Sequence, residues 1–284
     1  MTTIYRGMDR ATLDAAYNNT LHVGQAKRDA WVADWTQRSA ALRESRPHQR
    51  NLAYGPTPRE VIDFVPCGKP GAPTLAFIHG GYWQASDKDS WFFLAEGPLA
   101  RGFNFVNVEY TLAPGRTMDG IVDEIARATS WILDNLARLG GDPARLHVAG
   151  HSAGGHLTAI AMENPRVAGG LAISGLFDLE PIRLNYLNDK IGMDAAAAKR
   201  NSPIFRLPRR AGRLWVTVGG GELTELQRQS IEYFAAWRAA GLAGEFVPTP
   251  SHDHFSIMEE LAEPDGSLAR ALEAQAAGKP PPAF

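Results

Sequence analysis

The sequence predicts an α/β fold, in which helices flank a mostly parallel central sheet and an N-terminal helical arm precedes it. From residue 74 onward, short apolar runs alternate with amphipathic stretches of helical length, which is typical of βαβ units. Hydrophobic residues make up 44% of the 284 residues, enough for a large core. No linker-like segment interrupts the chain, so we expect one domain, with an arm and loop over residues 1–57 and the core over 58–284.

The N-terminal arm is predicted from residue 9 to about residue 45. This segment has no interior proline, and its larger apolar residues recur at helical spacing, namely Leu13, Tyr17, Val32, Trp35 and Leu42. A proline-marked loop over residues 47–58 then leads into an alternating pattern at residues 61–65, which predicts an outer strand.

Five inner strands and one clear helix are predicted in the core. The helix should follow Asp119, a good N-cap residue, and end at Gly140. A turn at residues 141–143 separates it from the next strand. The inner strands are the apolar runs at residues 75–78, 105–108, 146–149, 171–173 and 214–218.

Charge and cysteine content exclude several classes of function. The 29 basic and 31 acidic side chains give a net charge of −2 without any basic run, so nucleic acid is not an expected partner. Cys67 is the single cysteine, which excludes an intrachain disulfide and a Cys-rich zinc site and favours a reducing, cytoplasmic setting. No segment has the apolar character of a secretory signal or a membrane span, so no membrane association is expected. We expect a small-molecule substrate and no cofactor or metal, and the sequence leaves a homodimer open.

A serine nucleophile is predicted within Gly150-His151-Ser152-Ala153-Gly154. This G-x-S-x-G motif follows a predicted strand and precedes an Ala-rich helical stretch. A sharp strand-to-helix turn holds the serine in a strained conformation that small neighbours must accommodate, and the helix N-terminus favours developing negative charge. Ser152 is therefore the candidate nucleophile.

An oxyanion hole is predicted in the segment directly after the first inner strand. This segment reads His79-Gly80-Gly81-Tyr82-Trp83, and its glycines allow backbone N–H groups to face a bound acyl group. Acyl transfer creates an oxyanion that needs two or three fixed donors. The expected donors are the amides of Gly81, Tyr82 and Ala153.

The base of a catalytic triad should follow the nucleophile in the chain. The histidines after residue 156 are His252 and His254, and either one could serve. We favour His254, because it precedes Phe255 and an apolar, helix-like run, which predicts a strand-to-helix loop.

The acid of the triad should lie at the end of a strand, between the serine and the base in chain order. Two carboxylates qualify. Glu222 follows three glycines after the strand at 214–218, whereas Asp178 follows the preceding strand. We favour Glu222, since a Gly-rich loop after the penultimate strand is the usual place for this residue. Asp253 is too close in sequence to either histidine to orient its ring.

Together these motifs resemble the arylformamidase (kynurenine formamidase) group of the α/β-hydrolase fold. Lipase-like esterases of that fold usually have a third glycine where this chain has Tyr82, whereas residues 79–84 followed by Asp87-Lys88 are similar to the formamidase motif. The resemblance extends over nearly the whole chain. It includes residues 14–19, 54–56, 150–156, 174–179 and His254-Phe255.

The resemblance implies a metal-free serine hydrolase that removes a formyl group from an aryl amine, with N-formylkynurenine as the best candidate substrate. It implies Ser152 as nucleophile, His254 as base and position 222 as acid. The family commonly has Asp at the acid position, so Glu222 is a departure that asks a longer side chain to reach the same imidazole.

Substrate contacts are expected from the aromatic pair after the glycines and from the arm. Tyr82 and Trp83 should line the pocket, and Tyr17, Asn18 and Asn19 should contribute to substrate binding. Two other functions stay open. A short-chain carboxylesterase of broad specificity would use the same triad, and a non-catalytic binding protein could share the fold.

Overall fold

An eight-stranded sheet runs through the centre of the protein, whose computed structural model describes residues 2–282. The spatial order is β1-β2-β4-β3-β5-β6-β7-β8; β1 and β2 are antiparallel, β2 and β4 are antiparallel, and β3 to β8 run parallel to one another. This arrangement confirms the predicted fold class. The strands are β1 (Gln49–Ala53), β2 (Val61–Val65), β3 (Ala72–Ile78), β4 (Asn104–Val108), β5 (Gly141–His151), β6 (Gly169–Ile173), β7 (Arg213–Gly219) and β8 (Gly244–Thr249).

Both strands that the sequence patterns miss lie at the edges of the sheet. β1 is polar and mostly exposed, so it lacks the apolar run that marks the inner strands. β8 mixes buried and exposed residues and contains Pro248, as an edge strand can. The predicted turn at residues 141–143 is instead the extended start of β5, which begins five residues before the expected apolar run.

Helices cover both faces of the sheet. None of the helices between residues 2 and 282 has the length and apolar character needed to cross a membrane. A 3₁₀ segment, Lys88–Ala95, and two shorter ones, Pro203–Phe205 and Ser256–Met258, complete the regular structure. The α-helices are α1 (Arg10–Ala15), α2 (Asn19–Val23), α3 (Gln25–Ser45), α4 (Glu96–Ala100), α5 (Met118–Asn135), α6 (Ala153–Ala161), α7 (Glu180–Arg183), α8 (Asn188–Ile191), α9 (Ala195–Arg200), α10 (Thr224–Ala239), α11 (Glu259–Ala262) and α12 (Ser267–Ala276).

The expected cap of α5 is wrong by two residues. Thr117 is the N-cap, and its hydroxyl accepts a hydrogen bond from the amide of Gly120. Asp119 lies inside the first turn and accepts hydrogen bonds from Arg200 and Asn201. The helix ends at Asn135, whereas Gly140 has a φ of 94° in the turn before β5.

The two faces of the sheet belong to two apolar clusters. Ala76 and Ile78 pack with α5, α6 and α10, whereas Leu75 and Phe77, which point the other way, pack with α3, α11 and α12. The arm contributes to both clusters, through α1 on one face and α3 on the other. It therefore passes from one face to the other. The segment between α1 and α3 reaches the carboxyl ends of the parallel strands, where α/β proteins bind ligands.

Candidate active site

Ser152 occupies a strained turn between β5 and α6. Its backbone has a φ of 58° and a ψ of −118°, a conformation that L residues rarely adopt. A Cβ atom on Gly150 would overlap the carbonyl of Gly154, and one on Gly154 would overlap the carbonyl of Ile78. The two glycines of the motif are thus required by close backbone approach. They let the chain turn sharply enough to place Ser152 at the end of the strand.

His254 and Glu222 form a buried pair. The Nδ1 atom of His254 lies 2.6 Å from Oε2 of Glu222. The other carboxylate oxygen, Oε1, accepts hydrogen bonds from the hydroxyl of Ser174 at 2.5 Å and from the amide of Gly219 at 2.8 Å. Three donors therefore hold the carboxylate in one orientation, and a carboxylate at Nδ1 favours the imidazole tautomer that leaves Nε2 free to accept a proton.

The glycines before Glu222 explain how a longer acid reaches the histidine. A Cβ atom on Gly219 would overlap the carbonyl of His252, and one on Gly220 would lie 3.0 Å from the Cα atom of Pro250. The loop after β7 therefore packs directly against the loop after β8. Glutamate is accommodated in place of aspartate because its side chain folds back onto the amide of Gly219.

The alternative triad residues are bonded elsewhere. Asp178 accepts hydrogen bonds from the hydroxyl of Tyr5 and from the amide of Glu180. The Nε2 atom of His252 lies 3.1 Å from Glu260. The structure thus brings His254, rather than His252, to Glu222. Asp253 accepts a hydrogen bond from Lys27 at 2.7 Å and caps the following turn through the amides of residues 255 and 256.

The segment after β3 has a backbone conformation that exposes its amides. Gly81, Tyr82 and Trp83 have φ values of 107°, 48° and 58°, so three consecutive residues lie in the left-handed region. Within residues 2–282, the amides of Gly81 and Tyr82 donate to no other residue. The amide of Ala153 is the first of α6, where no carbonyl of the helix can accept from it. Among the described residues, none of these three amides is therefore paired with a carbonyl of its own loop or helix.

Gly80, which is not one of the predicted donors, passes close to the serine. A Cβ atom on Gly80 would lie 3.2 Å from the Cβ atom of Ser152. His79 holds this residue, because its Nδ1 atom lies 2.8 Å from the carbonyl of Gly80 and its Nε2 atom 3.0 Å from Glu109. Burial raises the pKa of Glu109, but hydrogen bonding and charge from His79 and the charge of Arg59 hold it below its usual value. Glu109 therefore stays ionised at neutral pH.

Ser152 and His254 face one cavity of about 350 Å³. Its lining includes Gly81 and Tyr82, and the arm contributes Asn18 and Asn19. Residues that the sequence analysis missed complete the wall. They are Thr20, Arg28, Val32, Trp35, Ala85, Ser86, Ser90, Trp91, His151, Tyr186 and Phe255.

Two of the expected substrate-binding residues do not line this cavity. Trp83 is fully buried, and its indole N–H donates to Nδ1 of His156. Tyr17 is also fully buried; its hydroxyl donates to Glu225 and accepts from Gln229. Both side chains point into the core, because packing against distant helices decides their direction. The expectation that they contact substrate is therefore corrected.

Tyr82 is fixed by the arm. Its hydroxyl donates to the carbonyl of Tyr17 at 2.7 Å and accepts from the amide of Asn19 at 3.1 Å. Burial, with a contribution from Tyr186, raises the pKa of Tyr82 well above its usual value of 10. The side chain is therefore a neutral, rigid wall of the cavity.

His151 is a second imidazole at the site. Its ring centroid lies 4.4 Å from that of His254 and 5.7 Å from that of Trp91. Neither ring nitrogen has a hydrogen-bond partner in the part of the chain that the structure describes. Burial, and secondarily the neighbouring His254, lowers the pKa of His151 well below 6.5, so the ring is neutral. Its position directly before Ser152 in the motif is the feature of the sequence that indicates its place at the site.

No metal-binding cluster occurs among residues 2–282, since no group of three or more His, Cys, Asp or Glu side chains there has an arrangement that could hold a metal ion. His147 and His151, which are four residues apart in sequence, do not share a site. His147 instead lies 3.0 Å from Gln275 through its Nδ1 atom.

Comparison with known proteins identifies the family of this fold. The profile of the α/β-hydrolase-fold family matches residues 75–258, which include the serine motif, Glu222 and His254. The chain belongs to the α/β-hydrolase family. A putative thioesterase from a Silicibacter species, whose crystal structure is known, is 32% identical to this hydrolase. The two superpose with a TM-score of 0.81 over 90% of this chain and 97% of the other.

Curated relatives place this hydrolase within the family. A kynurenine formamidase from Danio rerio is 32% identical over 78% of this chain and 80% of the relative. One from Salmo salar is 31% identical over 82% and 85%. A carboxylesterase from Mycobacterium tuberculosis is 34% identical, but over only 45% of this chain and 41% of the relative. The hydrolase is therefore arylformamidase-like, as the resemblance implied.

Proposed function

We propose that this hydrolase removes the formyl group from an N-formyl arylamine, with N-formylkynurenine as the best candidate substrate. The observation that carries the proposal is the similarity to the two fish kynurenine formamidases, which extends over about four fifths of each chain. The cavity supports it, because its aromatic walls suit an aryl group and its volume of about 350 Å³ suits a small molecule.

In the proposed mechanism, Ser152 is the nucleophile and His254 the general base. The Nε2 atom of His254 takes the hydroxyl proton as the serine oxygen adds to the formyl carbon. The amides of Gly81, Tyr82 and Ala153 stabilise the resulting oxyanion. His254 then gives its proton to the departing nitrogen, the C–N bond breaks, and the arylamine leaves a formyl ester on Ser152.

The second half of the reaction repeats these roles with water. His254 takes a proton from a water molecule, whose oxygen adds to the formyl ester. Collapse of the second oxyanion returns the proton to Ser152 and releases formate. Throughout, Glu222 is the acid that orients the imidazole and stabilises its charged form. The hydrogen bond at 2.6 Å supports that role.

A short-chain carboxylesterase is the second candidate. The partial similarity to the mycobacterial carboxylesterase favours it, and an ester would be cleaved by the same steps. An esterase from Pyrobaculum calidifontis also superposes with a TM-score of 0.71, but at 19% identity this shows the fold alone. The similarity over most of the chain therefore favours the formamidase.

Two substrates separate these candidates. We expect kcat/KM for N-formyl-L-kynurenine to exceed that for p-nitrophenyl acetate, with formate released in equal amount to the arylamine. The Ser152→Ala variant is the control for background hydrolysis. Rapid cleavage of the ester without measurable cleavage of the formamide would replace the formamidase with the carboxylesterase.

A further inference from the structure

The cavity that holds Ser152 has an uneven charge. Among the described residues that line the cavity, Arg28 alone has a formally charged side chain, and no Asp or Glu is present. Glu222 lies behind His254 rather than on the cavity wall. A ligand in this cavity therefore meets one formally charged side chain, that of Arg28, whose paired carboxylate, Asp29, lies outside the cavity lining.

Arg28 lies in the first turn of α3, and its side chain is 40% exposed. Its Nη1 atom donates to Asp29 at 2.8 Å, and both oxygens of Asp29 also accept from Gln25. Within residues 2–282, the Nε and Nη2 atoms of Arg28 donate to no other residue. The guanidinium thus keeps N–H groups free for a carboxylate, which it can bind with two parallel hydrogen bonds.

Aromatic side chains surround the same cavity. The ring centroids of Trp35 and Trp91 are 5.2 Å apart, and those of Trp35 and Phe255 are 6.2 Å apart. Trp35 is also on α3, two turns after Arg28. The helix therefore presents a flat apolar surface and a cation to one ligand, which suits an aromatic ring that carries an anionic substituent.

We propose that Arg28 is a specificity-determining residue that selects substrates whose aryl leaving group carries a carboxylate. The proposal rests on the proposed function for the identity of the bond that is cleaved. The cavity charge and the free guanidinium donors carry the preference for an anion. A role for Arg28 in stability alone fits poorly, since an exposed pair between adjacent residues contributes little to folding.

The test uses pairs of substrates that differ only in charge. One pair is 3-(4-formamidophenyl)propanoate and its carboxamide, in which two methylene groups insulate the ring from the substituent. Wild-type enzyme should prefer the carboxylate. In Arg28→Met, which keeps most of the alkyl stem, kcat/KM for the carboxylate should fall about 10- to 100-fold, as expected for a lost charged hydrogen bond. The value for the carboxamide should change by less than about twofold.

Two further variants distinguish local from general effects of charge. Arg28→Lys keeps the charge and should retain part of the preference for the carboxylate. Arg46→Met removes one positive charge from an exposed position directly after α3, and it should leave that preference unchanged. Equal kcat/KM for carboxylate and carboxamide in wild-type enzyme would overturn the proposal. An equal loss for both substrates in Arg28→Met would overturn it as well.

Aryl acetates that carry the same carboxylate or carboxamide substituent test the role of Arg28 independently of the proposed function. If 3-(4-acetoxyphenyl)propanoate is cleaved and the formamide is not, the formamidase assignment fails. The ratio of carboxylate to carboxamide esters still tests Arg28. Calorimetric binding of the product 3-(4-aminophenyl)propanoate to wild type and to Arg28→Met needs no turnover. Equal affinities of the two proteins for this product would contradict the proposed role of Arg28, whether the enzyme cleaves formamides or esters.

Discussion

The Oε2 atom of Glu222 lies 2.6 Å from Nδ1 of His254, and this contact joins the loop after β7 to the loop after β8. Both side chains are buried, so water competes little for the hydrogen bond. Because Ser174 and Gly219 bind the other carboxylate oxygen, Glu222 cannot rotate without losing two donors. The imidazole is thereby held in one tautomer and one orientation.

Replacing the carboxylate should remove that orientation. We expect Glu222→Gln to lower kcat by about 10³- to 10⁴-fold, because an amide at Nδ1 can favour the wrong tautomer. Asp178→Asn should retain most of the activity, since Asp178 is bonded to Tyr5 and not to the imidazole. Steady-state kinetics on N-formyl-L-kynurenine tests both variants. The opposite ranking, in variants that fold, would move the acid to the loop after β6.

Removing the proposed nucleophile or base should have a larger effect. Ser152→Ala and His254→Ala should each lower kcat by roughly 10⁴ to 10⁶, because the members of a triad act as one unit. His252→Ala is the matched control, since His252 contacts Glu260 and should have little effect on the chemical step. A more severe loss in His252→Ala than in His254→Ala would contradict the assignment of the base.

Ser174 should act as a positioning residue through Glu222. Ser174→Ala loses the 2.5 Å hydrogen bond to the carboxylate, and we expect kcat to fall roughly tenfold while KM is unchanged. Ser174 also has a φ of 52°, so Ser174→Gly removes the hydroxyl and relieves the backbone at the same time. If kcat is lowered to a similar extent in both variants, the loss of the hydroxyl is the cause. Full activity in Ser174→Gly alone would instead point to backbone strain.

Tyr82 should limit the length of the acyl group. A fixed aromatic ring beside the proposed oxyanion donors leaves room for formyl and acetyl groups, so kcat/KM should fall about tenfold or more per added methylene towards butyryl. In Tyr82→Gly we expect activity on p-nitrophenyl butyrate to rise by about tenfold. Tyr82→Phe keeps the ring and should keep the wild-type profile. A flat profile through hexanoate in wild-type enzyme would count against both the short pocket and the formamidase.

The protein should lose stability as the pH falls from about 6.5 towards 4. Burial, and secondarily the charge of Arg206, lowers the pKa of His156 from 6.5 to about 4, although the hydrogen bond to the carbonyl of Asn201 opposes this shift. In this window the unfolded chain binds a proton at this residue and the native protein does not, so each step down in pH favours unfolding. The full contribution, present above pH 6.5, is roughly 3 kcal/mol.

The two ring nitrogens of His156 are both bonded, and these contacts supply the test. Its Nε2 atom lies 2.8 Å from the carbonyl of Asn201, and Nδ1 accepts from the indole of Trp83, so a second proton would face an N–H group. Urea unfolding between pH 4.5 and 7.5 should show a steeper decline for wild type than for His156→Gln, which keeps a donor and an acceptor but does not titrate. Identical slopes would refute this account. His147 and His151, whose pKa values are also lowered by burial, should retain part of the decline in the variant.

Local patterns predicted the centre of the sheet. The inner strands are apolar on both faces because helices cover both, and an unbroken apolar run bounded by turns is visible without knowledge of its partners. The turn at Ser152 was also predictable, since the glycines that permit it lie within two residues of it. The N-cap of α5 was misassigned because Thr117 and Asp119 are both good caps, and only the backbone decides between them.

The tertiary structure decided what those patterns could not. Tyr17 and Trp83 are aromatic and close to site residues in sequence, yet they pack into the core, whereas Trp35 and Trp91 line the cavity. A side chain's direction depends on which distant segment it meets, and the sequence near it does not record that segment. For the same reason, the position of Arg28 at the cavity follows only from the passage of the arm across the carboxyl edge of the sheet.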